Sequence, residues 1–175
     1  MNIALYGFMG AGKTSLGKAL ATKLNYLFVD LDAEIVKVTQ QNINDIFNEK
    51  GEIAFRKIEH EVLKEFIKKN DTNVVLSLGG GTIIQPSNRK LLELRAYKPV
   101  FIDVNINTLI KRLKNDKNNR PLLRNIANNE FDNYIKALYA SRKFSYDNYA
   151  EMKITVENEN FNATLEKLYL YLNAN

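Results

Sequence analysis

Along this chain, short and densely apolar runs alternate with longer stretches in which apolar residues recur every three or four positions. The runs predict strands over residues 2–6, 27–29, 74–78, 100–104 and 153–156. Between them the helical pattern is plain. Leu16, Ala19, Leu20 and Leu24 fall on one helix face, and Phe55, Ile58, Val62, Leu63, Phe66 and Ile67 on another. Pro86-Ser87 opens a short helix carrying Leu91, Leu92 and Leu94, and further helices are predicted over 107–114, 131–146 and 162–172. Strands alternating with helices predict an α/β fold with a parallel sheet and crossover helices. No repeat, low-complexity tract or linker divides the chain, so a single domain over 1–175 is expected. In open sheets of this class ligands bind beyond the carboxyl ends of the strands. The residues that follow each strand are therefore where chemistry is expected.

The first strand runs directly into Gly7-Phe8-Met9-Gly10-Ala11-Gly12-Lys13-Thr14. The spacing G-x-x-x-x-G-K-[ST] is that of a phosphate-binding loop. Its glycines let the backbone curl until successive N–H groups face one concavity. Lys13 brings positive charge to the β- and γ-phosphates of a nucleotide, and the Thr14 hydroxyl is a ligand for Mg²⁺. The helix that follows turns its positive end toward the same phosphates.

After the second strand stands Asp30-Leu31-Asp32. One carboxylate is placed to support Mg²⁺ and the other to orient an acceptor hydroxyl or take its proton. A solvated turn, or an N-cap for a helix starting near Ala33, explains the same residues equally well. Arg56 and Glu59, three apart, share a helix face. They form either a braced fork for a substrate carboxylate or a surface salt bridge. Gly79, Gly80 and Gly81 follow the third strand, where they permit unusual dihedrals and let a ligand reach the main chain. Residues 111–124 are rich in Lys, Arg and Asn and lack helical periodicity in their middle. They read as a lid that carries Arg120 to the transferring phosphate, or as a disordered basic loop or nucleic-acid patch. His60, between Glu59 and Glu61, reads as a residue of a solvated face, and Tyr134, Tyr139, Tyr146 and Tyr149 as helix packing.

Composition changes this picture little. The net charge is +5, which suits small polyanions, since no nucleic-acid motif or interleaved aromatics accompany the basic stretch. The chain has no cysteine, which excludes disulfides and thiolate metal sites. No apolar run approaches a membrane span and no signal peptide is recognisable, so a cytoplasmic protein without membrane or nucleic-acid partners is expected.

Taken in order, GFMGAGKT, DLD, GExxFRxxE, SLGGGT and RPLL resemble the shikimate kinase family over residues 3 to about 142. The resemblance implies a three-layer α/β/α P-loop kinase fold like that of the nucleoside monophosphate kinases. Its five-stranded parallel sheet would have the order 2-3-1-4-5, with a mobile lid at about 112–124. It implies transfer of the γ-phosphate of ATP to the 3-hydroxyl of shikimate, with Mg²⁺, on the route to chorismate and aromatic amino acids. It further implies that Gly10, Ala11, Gly12, Lys13, Thr14 and Ser15 bind ATP, and that Thr14 with Asp30 supports Mg²⁺. Asp32 is then the base, and Arg56 with Arg142 holds the shikimate carboxylate while Glu59 braces Arg56. Gly79, Gly80 and Gly81 line the substrate, Arg120 reaches the phosphates, and Arg112 lies near the adenine. ATP and shikimate are the expected partners of a monomer. Two departures stand out. The family's R-x-P-x-Y reads Arg142-Lys143-Phe144-Ser145-Tyr146, which removes a helix stop beside Arg142. The loop at 156–162 lacks the family's proline, so nucleotide contacts from Asn158 or Asn160 are unassigned.

Overall fold

Five parallel strands form one sheet: β1 (Asn2–Tyr6), β2 (Leu27–Asp30), β3 (Val74–Ser77), β4 (Tyr97–Val104) and β5 (Met152–Val156). The computed structural model describes residues 1–70, 72–156 and 160–174, and within them the strand order is β2-β3-β1-β4-β5. All four pairings are parallel. The helices are α1 (Lys13–Leu24), α2 (Leu31–Thr39), α3 (Ile43–Lys69), α4 (Pro86–Leu94), α5 (Ile106–Asn115), α6 (Phe131–Tyr149) and α7 (Phe161–Ala174). Every residue of β1 and β3 is buried, as expected of inner strands covered on both faces.

Three boundaries differ from the sequence expectation by three residues or more, for identifiable reasons. The strand expected to start at Val100 starts at Tyr97 and includes Pro99. Over 97–99 it pairs with β1 alone, because the ladder to β5 begins at Val100, and a proline is tolerated in such a half-edge position. Helix α3 begins at Ile43, twelve residues before the first apolar residue that predicts it. Asn42 caps its start by accepting from the Asp45 N–H at 3.0 Å, and Gly51 then interrupts it with φ 77° and ψ 173°. That conformation favours glycine, and it bends the helix so that both halves can flank one cavity. Helix α6 continues to Tyr149, through the position where the resemblance expects a proline. Phe144 is 76% exposed there, on the outer side of the helix, while Arg142 is buried.

Of the loop that the resemblance associates with nucleotide, Glu157, Asn158 and Glu159 lie outside the described residues. Asn160 accepts from the Ala163 N–H at 3.0 Å and so secures the first turn of α7. No described helix is long and apolar enough to cross a membrane.

Candidate active site

The carboxyl ends of β1, β2 and β3 converge on one depression. Between β1 and α1 the phosphate loop takes positive φ at Gly7, Gly10 and Gly12 (146°, 78° and 85°), which only glycine adopts without strain. Lys13 is buried and its Nζ donates to the carbonyls of Gly7 (3.1 Å) and Phe8 (2.9 Å). Burial pushes its pKa down to about 8; Arg120 and Arg142 act in the same direction, and Asp32 and Asp30 oppose them. Lys13 is thus held, poorly solvated, against two main-chain carbonyls of the loop.

The two oxygens of Asp30 have different partners. One oxygen, Oδ1, accepts from the N–H groups of Asp32 (3.1 Å) and Ala33 (3.4 Å), so Asp30 caps α2, which starts at Leu31. The other oxygen, Oδ2, accepts from the Thr14 hydroxyl at 2.7 Å. That puts a hydroxyl and a carboxylate, both hard oxygen donors, side by side at the phosphate loop. Asp32 sits one residue into α2. Burial, with the charges of Asp30 and Glu59, pushes its pKa up to about 6, while Lys13 and Arg120 pull it down.

Across the depression, Arg56 Nη1 donates to both oxygens of Glu59 (3.1 and 3.0 Å), and its Nε and Nη2 donate to Glu52 Oε1 (3.3 and 3.1 Å). Glu59 is fully buried and also accepts from the Thr82 hydroxyl at 2.7 Å. A surface salt bridge is therefore the wrong description of Arg56 and Glu59. The triple glycine also departs from expectation: none of Gly79, Gly80 or Gly81 has positive φ. Space is the reason for these glycines. A Cβ at 81 would lie 2.6 Å from Arg56 Cζ, and one at 79 would lie 3.1 Å from carboxylate oxygens of Asp32 and Glu59. The turn is bare so that charged groups can close around it.

Arg142 donates to the Gly80 carbonyl at 3.2 Å and lies 6.0 Å from the Phe8 ring centre. The continuous α6 thus still delivers this arginine to the site. Tyr146 donates to the same Gly80 carbonyl, and its own carbonyl accepts from the Tyr6 hydroxyl at 2.8 Å. In the basic stretch, residues 112–115 belong to α5, followed by a 3₁₀ turn at Lys117–Asn119. Arg120 Nε donates to Asp116 at 2.7 Å, and Arg112 Nη1 donates to the Gly10 carbonyl at 3.0 Å.

Two cavities meet here. One of about 270 Å³ is lined by the phosphate loop, Asp30 and Ser77. The second, about 80 Å³, is lined by Arg56, Glu59, Gly81 and Arg142 with the rings of Phe47 and Phe55. Met9, Asp32, Gly79, Gly80 and Arg120 line both. Gly10, Gly12, Lys13, Thr14 and Ser15 all reach the first cavity. Ala11, whose N–H bonds back to the Phe8 carbonyl at 3.2 Å, and Arg112 are in neither lining.

Sequence reasoning missed Glu52, Thr82 and Asp116. Glu52 and Asp116 each stand four residues before the arginine they hold, a spacing that could have revealed them. His60 was placed on a solvated face. It is instead half-buried, with Nδ1 2.6 Å from Asn88 Oδ1, because α4 packs over that side of α3.

The family model described as shikimate kinase matches residues 9–172. The chain is 41% identical over 159 residues to shikimate kinase of Macrococcus caseolyticus, covering 91% of this chain and 89% of that one. To shikimate kinase of Xylella fastidiosa it is 37% identical over 173 residues, covering 99% and 92%. Among solved structures, shikimate kinase from Acinetobacter baumannii in complex with shikimate superposes with a TM-score of 0.87 at 34% identity, covering 99% of this chain and 93% of that one.

Proposed function

This chain belongs to the shikimate kinase family, and from that premise we propose how its residues divide the transfer of the γ-phosphate of ATP to the 3-hydroxyl of shikimate. The products are shikimate 3-phosphate and ADP, on the route to chorismate and the aromatic amino acids. The observation that carries the division is the pair of cavities that share Asp32 and Arg120. A phosphoryl donor in the larger cavity and a hydroxy acid in the smaller one meet between those two side chains.

In the larger cavity the glycine-rich backbone and the start of α1 receive the triphosphate, and Lys13 transfers its two carbonyl bonds to phosphate oxygens. The residues present fit Mg²⁺: Thr14 Oγ1 and Asp30 Oδ2, hard oxygens side by side, would hold it. When bound, Mg²⁺ neutralises charge on the β- and γ-phosphates.

In the smaller cavity Arg56, fixed by Glu52 and Glu59, presents its guanidinium to the shikimate carboxylate, and Arg142 approaches from α6. The Gly79–Gly81 turn lets ring hydroxyls approach the main chain, and Phe47 and Phe55 cover the apolar side of the ring. Asp32 orients the 3-hydroxyl and takes its proton; with a pKa of about 6 it is mostly ionised at pH 7. Little covalent work is left to the protein, and alignment with charge stabilisation does the rest. Arg120 leaves Asp116 for the transferring phosphoryl group as residues 112–124 close. Arg112, beside Gly10, lies on the nucleotide side. One kinase domain over 1–175, acting as a cytoplasmic monomer, completes the reading.

The test separates the two cavities. Arg56→Ala raises the KM for shikimate while sparing that for ATP, whereas Lys13→Ala abolishes phosphoryl transfer, both measured by coupled ADP release. Equal shikimate affinity in the parent enzyme and Arg56→Ala removes the carboxylate assignment.

A further inference from the structure

Behind the Arg56 clamp lies a second layer of buried polar groups that the reaction itself does not use. Asn88, in the first turn of α4, is fully buried. An amide is rarely enclosed in this way unless each of its polar atoms is satisfied. Its Nδ2 donates to the Thr82 carbonyl at 3.0 Å, and its Oδ1 lies 2.6 Å from His60 Nδ1. Because Nδ2 faces a carbonyl, Oδ1 must be the acceptor, so His60 Nδ1 carries the proton. Thr82 in turn donates its hydroxyl to Glu59 at 2.7 Å, and Glu59 accepts from Arg56 at 3.0 and 3.1 Å. Thr82 also ends the glycine turn, whose close approach to Arg56, Asp32 and Glu59 leaves no slack.

We infer that Asn88, anchored by His60, is a positioning residue for the acceptor site: through Thr82 it fixes the glycine turn and Glu59, and thereby the guanidinium of Arg56. The inference rests on Arg56 holding the substrate carboxylate. The chain crosses three elements, α3, the Thr82–Ile84 turn and α4. His60, Asn88 and Thr82 line neither cavity, so they reach the acceptor only through Glu59 and Arg56 and through the glycine turn. Of the donor cavity the chain approaches only Gly79 and Gly80, while Lys13, Thr14 and Asp30 lie outside it.

The experiment is steady-state kinetics with shikimate and ATP varied separately. Asn88→Ala should raise the shikimate KM by about five- to fiftyfold, the range expected for loss of a buried hydrogen bond, with the ATP KM within about twofold of the parent. His60→Leu, at a half-buried position that tolerates replacement, should give a smaller rise of about three- to tenfold, and it carries the test if Asn88→Ala does not fold. His60→Asn, which restores a donor near the Nδ1 position, should return the shikimate KM to within about twofold of the parent. In an Arg56→Ala background Asn88→Ala should add less than about a further twofold, because the chain acts through that arginine. A folded Asn88→Ala or His60→Leu enzyme with an unchanged shikimate KM overturns the inference. So does an equal rise in the ATP KM, or a full effect in the Arg56→Ala background. If Arg56→Ala alone leaves the shikimate KM unchanged, the carboxylate assignment falls first and takes this inference with it.

Discussion

Replacing Gly81 by alanine perturbs the acceptor site without replacing any functional side chain. The backbone at 81 has φ −112° and ψ −8°, which alanine adopts freely. The atoms nearest the added methyl are those of the Arg56 guanidinium: Nη2 first, then Cζ at 2.6 Å and Nη1 at 2.8 Å. Carbon contacts settle at about 3.5–4.0 Å, so the guanidinium has to move by about 1 Å. Its bonds to Glu59 start at 3.0 and 3.1 Å, and a shift of that size stretches them beyond useful hydrogen bonding. The clashing atoms belong to the tip of a flexible side chain, so the fold accommodates the methyl and the clamp is what changes. A hydrogen bond to a charged group is worth about 1.5–3 kcal/mol. At about 1.4 kcal/mol per factor of ten, that predicts a shikimate KM raised about ten- to a hundredfold. Coupled ADP release with each substrate varied in turn gives both KM values, and circular dichroism checks that the variant is folded. A folded Gly81→Ala enzyme with the parental shikimate KM refutes the placement of Arg56; a matching rise in the ATP KM refutes the separation of the two cavities.

Other outcomes follow from the same geometry. Asp30→Asn retains an acceptor for the Asp32 and Ala33 N–H groups but loses the carboxylate beside Thr14. It should keep its thermal stability while needing more Mg²⁺ for half-maximal rate, whereas Asp30→Ala also loses the cap and about 0.5–2 kcal/mol in denaturant titration. The raised pKa of Asp32 makes its carboxylate scarce below about pH 6. The kcat/KM for shikimate should therefore rise with pH through about 6, and a flat profile down to pH 5 contradicts the role given to this residue. In the free enzyme Lys13 loses its charge as pH rises through about 8, so calorimetric ATP affinity should weaken above that pH. Arg120→Ala should lower kcat far more than either KM, as expected of an arginine that acts on the transferring group.

Much of this was legible in the residues. The inner strands are apolar on both faces, so they read clearly as β1 and β3, and the phosphate loop announces itself by spacing. What escaped depends on packing between distant segments. Nothing near Asn88 in the sequence points to His60, 28 positions earlier; only the seating of α4 on α3 joins them. Pro99 hid the start of β4, since its strand role depends on where the ladder to β5 begins. The glycines after β3 were recognised but for an incomplete reason: their conformations are ordinary, and space is short because Glu59 and Asp32 crowd Gly79, Arg56 crowds Gly81 and the phosphate-loop backbone lies against Gly80. The one carboxylate of Asp30 caps α2 through one oxygen and leaves the other for the Thr14 hydroxyl, so the cap does not exclude the Mg²⁺ support that sequence alone sets against it.

On the proposed function, the cavity beyond the phosphate loop takes shikimate, and Asp32 and Arg120 stand at the point of transfer. The most direct measurement is ³¹P NMR of the purified protein with ATP, Mg²⁺ and, in parallel, shikimate, gluconate or no acceptor. The account predicts one phosphomonoester formed per ADP with shikimate, located on the 3-hydroxyl, and neither product in the other two samples. Phosphorylated gluconate, or ADP with inorganic phosphate and no ester in the presence of shikimate, would contradict it.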